Sequence, residues 1–181
     1  MSVSLSIVVP VKDEAGNVVP LAREIAAAVA GEAAEIIFVD DGSADATPAE
    51  LTALKAELPQ LRVLRHGRNA GQSRAIRTGV LAARGSLIGT LDGDGQNDPA
   101  DLAALLAVLR ADGQLGMVSG VRAKRKDTFS RKLASRLANG LRRRALNDTA
   151  VDSGSGIKVF RREAFLALPY FDHQHRFMTT L

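Results

Sequence analysis

The chain has 181 residues, enough for one domain with a sizeable core, and its 46% hydrophobic and 24% charged residues are ordinary for a globular protein. It contains no cysteine, which excludes a disulfide framework, a thiolate metal site and a cysteine nucleophile. The net charge of +4 is unevenly spread: between Arg122 and Arg144 stand ten Lys or Arg residues and one acid, Asp127, a block suited to phosphates or an anionic membrane surface.

No apolar run reaches the roughly 18 residues of a membrane-spanning helix. The N-terminus, MSVSLSIVVPVKDE, lacks the basic start of a signal peptide, and its short apolar run reads as a strand, so a cytoplasmic enzyme is expected. That first strand covers residues 4–11. A helix over 17–30 follows, with Asn17 as cap and Pro20 in the first turn. Residues 34–40 are a second strand, and 48–57 a helix capped by Asp45 or Thr47 with Pro48 at its first position. Residues 61–66 are a third strand, 71–85 a helix ending at Gly85, and 86–92 a fourth strand. A helix over 98–113 takes Asp98 as cap and Pro99 at its first position, and 115–122 is a fifth strand. Strands that are apolar throughout, alternating with helices, predict a mostly parallel α/β sheet with helices on both faces.

Beyond residue 122 the pattern changes. Residues 127–145 predict a basic amphipathic helix with Phe129, Leu133, Leu137 and Leu141 at i+4 spacing. A strand over 155–162 and a short helix over 162–167 follow. The chain reaches HRFMTTL inside what reads as an element, so a single domain over 1–181 with a C-terminal continuation is expected.

In open α/β sheets, ligands bind beyond the carboxyl ends of the strands. Four strands here end in PVKDE (10–14), VDDGS (39–43), RHGRNAG (65–71) and DGDGQND (92–98), which gathers their polar residues on one edge. Asp92 and Asp94 have the i, i+2 spacing that puts both side chains on one side of an extended backbone, and Gly93 and Gly95 let a ligand come close. Two carboxylates so placed suit Mg²⁺ or Mn²⁺ shared with substrate phosphates; an Asx-rich surface turn is the alternative. Neither G-x-G-x-x-G after the first strand nor G-x-x-x-x-G-K-[ST] is present, which disfavours a dinucleotide-binding dehydrogenase and a P-loop enzyme.

Taken together, VVPVKDEAGNV, FVDDGSADAT, GRNAGQSRAIRTG, LDGDGQNDP and DSGSGIKVFRRE resemble glycosyltransferase family 2, of the Rossmann-like GT-A fold, and within it the polyprenol-phosphate (dolichol-phosphate) sugar transferases. The resemblance implies that Pro10, Val11, Glu14, Asp40 and Asp41, with Asn69 and Gly71, form the nucleotide pocket. It implies that Asp92, Asp94 and Gln96 hold Mg²⁺ or Mn²⁺ against the donor diphosphate. Arg122 and Arg131 are candidates for catalytic phosphate contact, and Arg136, Asp152, Ser155, His175 and Arg176 for the acceptor site. A metal site from Asp172, His173 and His175 is an alternative use of that last segment.

The implied reaction is inverting transfer of a hexose from a UDP- or GDP-linked donor to a polyprenyl phosphate. That acceptor is already anionic and needs no general base. The implied partners are the nucleotide-sugar, the polyprenyl phosphate, an anionic membrane surface and a possible second copy of the chain, with the protein peripheral on the cytoplasmic face of the membrane. Alternatives are a family 2 transferase with a polysaccharide or other alcohol acceptor, with Asp152 as base, and a nucleotidyltransferase releasing pyrophosphate. A nucleic-acid-binding module using residues 122–144 is disfavoured, because there is one Tyr and no Trp for base stacking.

Overall fold

The computed structural model describes residues 2–120, 155–176 and 178. The expected helix over 127–145 therefore lies outside the described residues. So do Arg122, Arg131, Arg136 and Asp152.

Six strands form one sheet: β1 (Leu5–Val11), β2 (Ala34–Asp40), β3 (Leu61–Arg65), β4 (Leu87–Thr90), β5 (Met117–Ser119) and β6 (Lys158–Arg161). Their order is β3-β2-β1-β4-β6-β5. β1 pairs in parallel with β2 and β4, and β2 with β3, so the first four strands point one way, as expected for apolar runs joined by helices. The fifth predicted strand does not follow on beside β4. Strand β6 is inserted between them, antiparallel to both. A strand as short as KVFR carries no mark of direction, which is why the sequence pattern is silent on this insertion.

The helices are α1 (Val18–Ala28), α2 (Thr47–Glu57), α3 (Gln72–Ala82), α4 (Asp101–Ala111) and α5 (Arg162–Ala167). Side chains of a strand alternate between faces, and the core divides accordingly. Leu5, Ile7, Val9 and Val11 of β1 pack with Val18, Leu21 and Ile25 of α1, Leu51 and Leu54 of α2, and Leu102, Leu106 and Leu109 of α4. On the other face Val8, Ile37, Val39 and Ile88 meet Ala75, Ile76 and Val80 of α3 and Phe165 of α5. Both faces of the sheet are thus covered. Helix α3 lies close against the sheet at Gly79, where a Cβ would overlap the Val8 side chain and come within 3.2 Å of Val39 Cγ2.

Several helix starts differ from expectation. Asn17 precedes α1, yet its side chain donates to Glu14 Oε2 at 2.8 Å and not to the helix. Helix α4 begins at Asp101 and not at 98; Asp98 closes the preceding turn by accepting the Ala100 amide at 2.9 Å. An Asx side chain serves a turn as readily as a helix cap, so the sequence cue fits both.

At the end of the sheet opposite the strand carboxyl termini, Glu35 is buried. It accepts hydrogen bonds from the Ser6 hydroxyl (2.8 Å), the Arg84 amide (2.6 Å) and the Arg62 guanidinium (2.6 Å), tying β1, β2, β3 and the α3–β4 turn together. Burial by itself raises the carboxyl pKa, but the Arg84 amide, Arg62 and Ser6 outweigh it and hold Glu35 below its ordinary value. A depressed folded pKa gives stability that is present above the ordinary 4.5 and is lost as pH falls through the folded value. Glu35→Ala is expected to lower unfolding free energy at pH 7 by about 2–3 kcal/mol, since three donors lose their acceptor. Urea denaturation at pH 7 and at successively lower pH below 4.5 checks this. The gap between wild type and variant should narrow on acidification, and a gap independent of pH would count against the ion pair.

Candidate active site

The carboxyl ends of the parallel strands meet around an open cleft of about 460 Å³. β1 and its following loop contribute Pro10, Val11, Lys12 and Glu14. The position after β2 contributes Asp41, the β3–α3 connection Asn69 and Gly71, the start of α3 Gln72, and the residues after β4 Asp92, Gly93 and Asp94. Of the residues expected in a nucleotide pocket, Pro10, Val11, Glu14, Asp41, Asn69 and Gly71 line this one cleft together with Asp92 and Asp94.

The loop that carries Glu14 is held by the start of α2. The amide of Asp13, a residue in the left-handed region at φ 54°, donates to Ser43 Oγ at 2.9 Å. The Glu14 amide donates to Thr47 Oγ1 at 2.8 Å, and the Ala15 amide to Asp45 Oδ2 at 3.0 Å. These side chains fix the loop without using the Glu14 carboxylate, whose Oε2 accepts from Asn17. Lys12, also on the cleft, pairs with Asp13.

The adjacent acids Asp40 and Asp41 divide their tasks. Asp40 is fully buried, accepts the Ser43 amide at 2.8 Å and faces Arg65 at 3.1 Å. It shapes the DDGS turn and is not among the cleft-lining residues. Asp41 accepts the amides of Ala70 and Gly71, each at 2.8 Å, and stands 2.7 Å from His66 Nδ1. Gly42 between the strand end and Ser43 has φ +75°, and a Cβ there would meet the Arg68–Asn69 backbone at 2.8 Å, so the two loops are in contact.

Asp92 is half-buried and Asp94 exposed. Asp92 Oδ1 accepts the Gln72 side-chain amide at 2.7 Å. Its other oxygen faces Gly156: a Cβ at that glycine would overlap Oδ2 and come within 2.6 Å of Asp92 Cγ and Asn97 Nδ2. Asp94 Oδ1 accepts the Gln96 amide at 3.1 Å; the Gln96 side chain is exposed and does not line the cleft. Two carboxylates on one solvent-open wall are a hard-oxygen donor set that fits Mg²⁺ or Mn²⁺, ions that fill the rest of their shell with water and phosphate oxygens. Among the described residues no cluster of three or more His, Asp or Glu could hold a metal, and Asp172, His173 and His175 form none.

A second recess, of about 320 Å³, adjoins the first and shares Gly71 and Gln72 with it. Ala70, Ser73, Asp172, His173 and His175 complete its lining. His175 Nδ1 is 2.7 Å from Ser73 Oγ at the start of α3. Arg176 ends the short 3-10 turn Gln174–Arg176 beside it. Ser155 is buried, with its carbonyl accepting Lys158 Nζ, and it lines neither recess.

Residues 6–168 match the model of glycosyl transferase family 2. The chain belongs to this family. A dodecaprenyl-phosphate galacturonate synthase of Rhizobium johnstonii is 38% identical to it, over 98% of this chain and 53% of that protein. An undecaprenyl-phosphate 4-deoxy-4-formamido-L-arabinose transferase of Sodalis glossinidius is 36% identical, over 98% of this chain and 55% of that protein. The family 2 chain thus spans about half the length of the curated relatives it matches. Among solved structures, glucosyl-3-phosphoglycerate synthase from Mycobacterium tuberculosis in complex with UDP superposes with a TM-score of 0.74 at 20% identity, over 92% of this chain and 60% of that one. A mannosyltransferase from Pyrobaculum calidifontis in complex with GDP-Man and Mn²⁺ gives 0.61 at 22% identity, over 90% and 46%. The fold is accordingly the GT-A fold that the motifs imply.

Besides the apolar Ala75, two polar residues of the cleft, Lys12 and Gln72, are not signalled by the motifs. Lys12 lies within the PVKDE strand end, and its place between two named positions was the available signal. Gln72 opens α3 within GQSRAIRTG, but its contact is with a residue 20 positions away, which no local pattern reveals.

Proposed function

We propose that this family 2 domain transfers a sugar from a nucleotide-sugar to the phosphate of a polyprenyl phosphate, with inversion at the anomeric carbon and with Mg²⁺ or Mn²⁺ at the donor site. The observation that carries the reading is that Asp92 and Asp94 line the same cleft as Glu14 and Asp41. One wall offers ligands for a cation on a diphosphate; the other offers acceptors for base N–H groups or ribose hydroxyls. Asp41 already receives three donors, which leaves little free capacity on a carboxylate. Glu14 has more to offer a ligand, with one donor on its side chain.

The acceptor is supported by the names of the relatives, both of which are polyprenyl-phosphate enzymes. An oxygen of the lipid phosphate attacks the anomeric carbon as the bond to the donor diphosphate breaks. The electron pair leaves with the nucleoside diphosphate, and no proton has to be removed. Asp92 and Asp94 would hold Mg²⁺ or Mn²⁺, which would supply positive charge to that leaving group. Gln72 keeps Asp92 in place, and the recess at His175, next to the donor cleft, is the proposed acceptor side. Arg122, Arg131 and Arg136, with the rest of the basic block, are proposed to meet the lipid phosphate and the anionic membrane surface on its cytoplasmic face. Among the described residues no helix is long and apolar enough to cross a membrane.

The test is transfer from UDP- and GDP-linked sugars to polyprenyl phosphate in phospholipid vesicles, with polyprenol as the control acceptor. Product is expected from the phosphate alone, with the anomeric configuration inverted. Equal transfer to polyprenol or to a soluble alcohol would reject the lipid-phosphate reading in favour of an alcohol acceptor.

A further inference from the structure

His66 directly follows β3, and its backbone N–H donates to the Asp40 carbonyl at 2.8 Å, extending the β2–β3 ladder by one step. Its ring is held at both nitrogens. Nδ1 is 2.7 Å from Asp41 Oδ1, and Nε2 is 2.9 Å from the Thr78 hydroxyl on α3. An ionised carboxylate only accepts, so Nδ1 carries a proton and donates, while Nε2 faces a hydroxyl that can donate to it.

The same Asp41 carboxylate receives the amides of Ala70 and Gly71. Gly71 stands immediately before α3 at φ +89°, a conformation that glycine adopts without strain, and no side chain caps the helix. The next residue is Gln72, whose amide donates to Asp92 Oδ1. A continuous path therefore runs from His66 through Asp41 to the Ala70–Gly71 turn, and from there through Gln72 to one of the two paired acids. Arg68, Asn69 and Ala70 are exposed, so the turn is held by hydrogen bonds more than by packing: those to Asp41, a weaker one from the Gly71 amide to Asn69 Oδ1 at 3.0 Å, the Ser73–His175 bonds one residue beyond Gln72, and the contact with Gly42.

We infer that His66 is a positioning residue for the donor site: anchored at Nε2 by Thr78, it braces Asp41 against the Ala70–Gly71 turn, helps to set the first turn of α3 and so aims the Gln72 amide at Asp92. The inference rests on the reading of the cleft as the donor site. His66 itself does not line the cleft and touches no reacting atom. Its influence passes through two carboxylates and a backbone turn.

The test compares His66→Ala, His66→Asn and Thr78→Val with the wild-type chain. Asparagine places an amide donor near the position of Nδ1 and so keeps the bond to Asp41. Valine is isosteric with threonine and removes the bond at Nε2. Hydrogen exchange at the Ala70 and Gly71 amides is read without any ligand. Calorimetry with UDP and GDP in the presence of Mn²⁺ reads the donor site, and KM for the nucleotide-sugar is compared with kcat. His66→Ala is expected to speed exchange at both amides about tenfold, to weaken nucleoside diphosphate binding about tenfold, and to raise KM more than it lowers kcat. His66→Asn is expected to restore both readouts to within about threefold of wild type, and Thr78→Val to show the same pattern at smaller size. Unchanged exchange at Ala70 and Gly71 in His66→Ala overturns the inference, as does equal impairment of the Ala and Asn variants. If His66→Ala does not fold, wild-type exchange and binding in Thr78→Val overturn it. If the wild-type chain binds neither nucleotide, the donor-site reading fails and the inference with it, while the exchange rates still report whether His66 holds the turn.

Discussion

Replacing Asp92 and Asp94 together by alanine is expected to abolish Mn²⁺-dependent binding of nucleoside diphosphates and to slow sugar transfer by at least about 10³-fold. The fold should survive. Asp94 is exposed, and Asp92 gives up a single hydrogen bond from the Gln72 amide, which water can replace at that half-exposed position. The cost to stability is therefore about 1 kcal/mol or less, and relief of the repulsion between the two acids offsets part of it. Calorimetry with UDP and GDP, each with Mn²⁺ and with a chelator, separates the possibilities. The chelated wild type should behave like the double variant. Binding that persists in the variant, or that ignores the chelator, would show that the pair holds no cation on a diphosphate, and the acids would then be no more than a surface turn.

Gly156→Ala should produce a loss of comparable kind from a residue that bears no functional group. The added Cβ would come within 2.6 Å of Asp92 Cγ and Asn97 Nδ2. Real carbon contacts are not this short, so the Asp92 carboxylate must rotate away from the Gln72 amide, or the turn over residues 93–98 must shift. Misplacement of a catalytic group by about 1 Å costs on the order of 10²-fold, and a loss of that size in Mn²⁺-dependent nucleotide affinity and in kcat/KM is expected. The backbone of Gly156 is not in the left-handed region, so the variant pays for contact and not for conformation. Its thermal unfolding should stay near that of the wild type while binding collapses. Full affinity in the alanine variant would mean that Asp92 works in a different position from the one it holds without ligand.

Much of this site was legible because it follows from topology. A strand buried on both faces reads as a continuous apolar run, and parallel strands joined by helices must bring their carboxyl ends to one edge. Glu14, Asp41, Asn69 and Asp92 each follow such a run, and they share a cleft. The residues that were not legible are those whose role depends on a distant contact. Asp40 and Asp41 look alike in VDDGS, yet one is sealed against Arg65 and the other lines the cleft, because successive side chains leave a strand on opposite sides. Gln72 and Gly156 matter through Asp92, which is far from each in sequence. The direction and place of β6 are set by pairing with β4 and β5, and no periodicity encodes that choice.

The insertion of β6 has a bearing on how such enzymes diverge. Ser119 pairs with Lys158, Lys158 pairs with Thr90, and the Gly120 amide donates to the Ile157 carbonyl at 3.1 Å. The points at which residues 121–154 leave and rejoin the sheet are therefore neighbours, both on the rim beside Asp92. A segment spliced in between two adjacent strand ends can be exchanged, lengthened or recharged without shifting the register of any strand. Sequence change between residues 121 and 154 can then proceed without disturbing the strands that carry Glu14, Asp41 and Asp92, and, if the proposed division of donor and acceptor sites holds, a chimera that takes residues 121–154 from a relative is expected to keep its donor and change its acceptor.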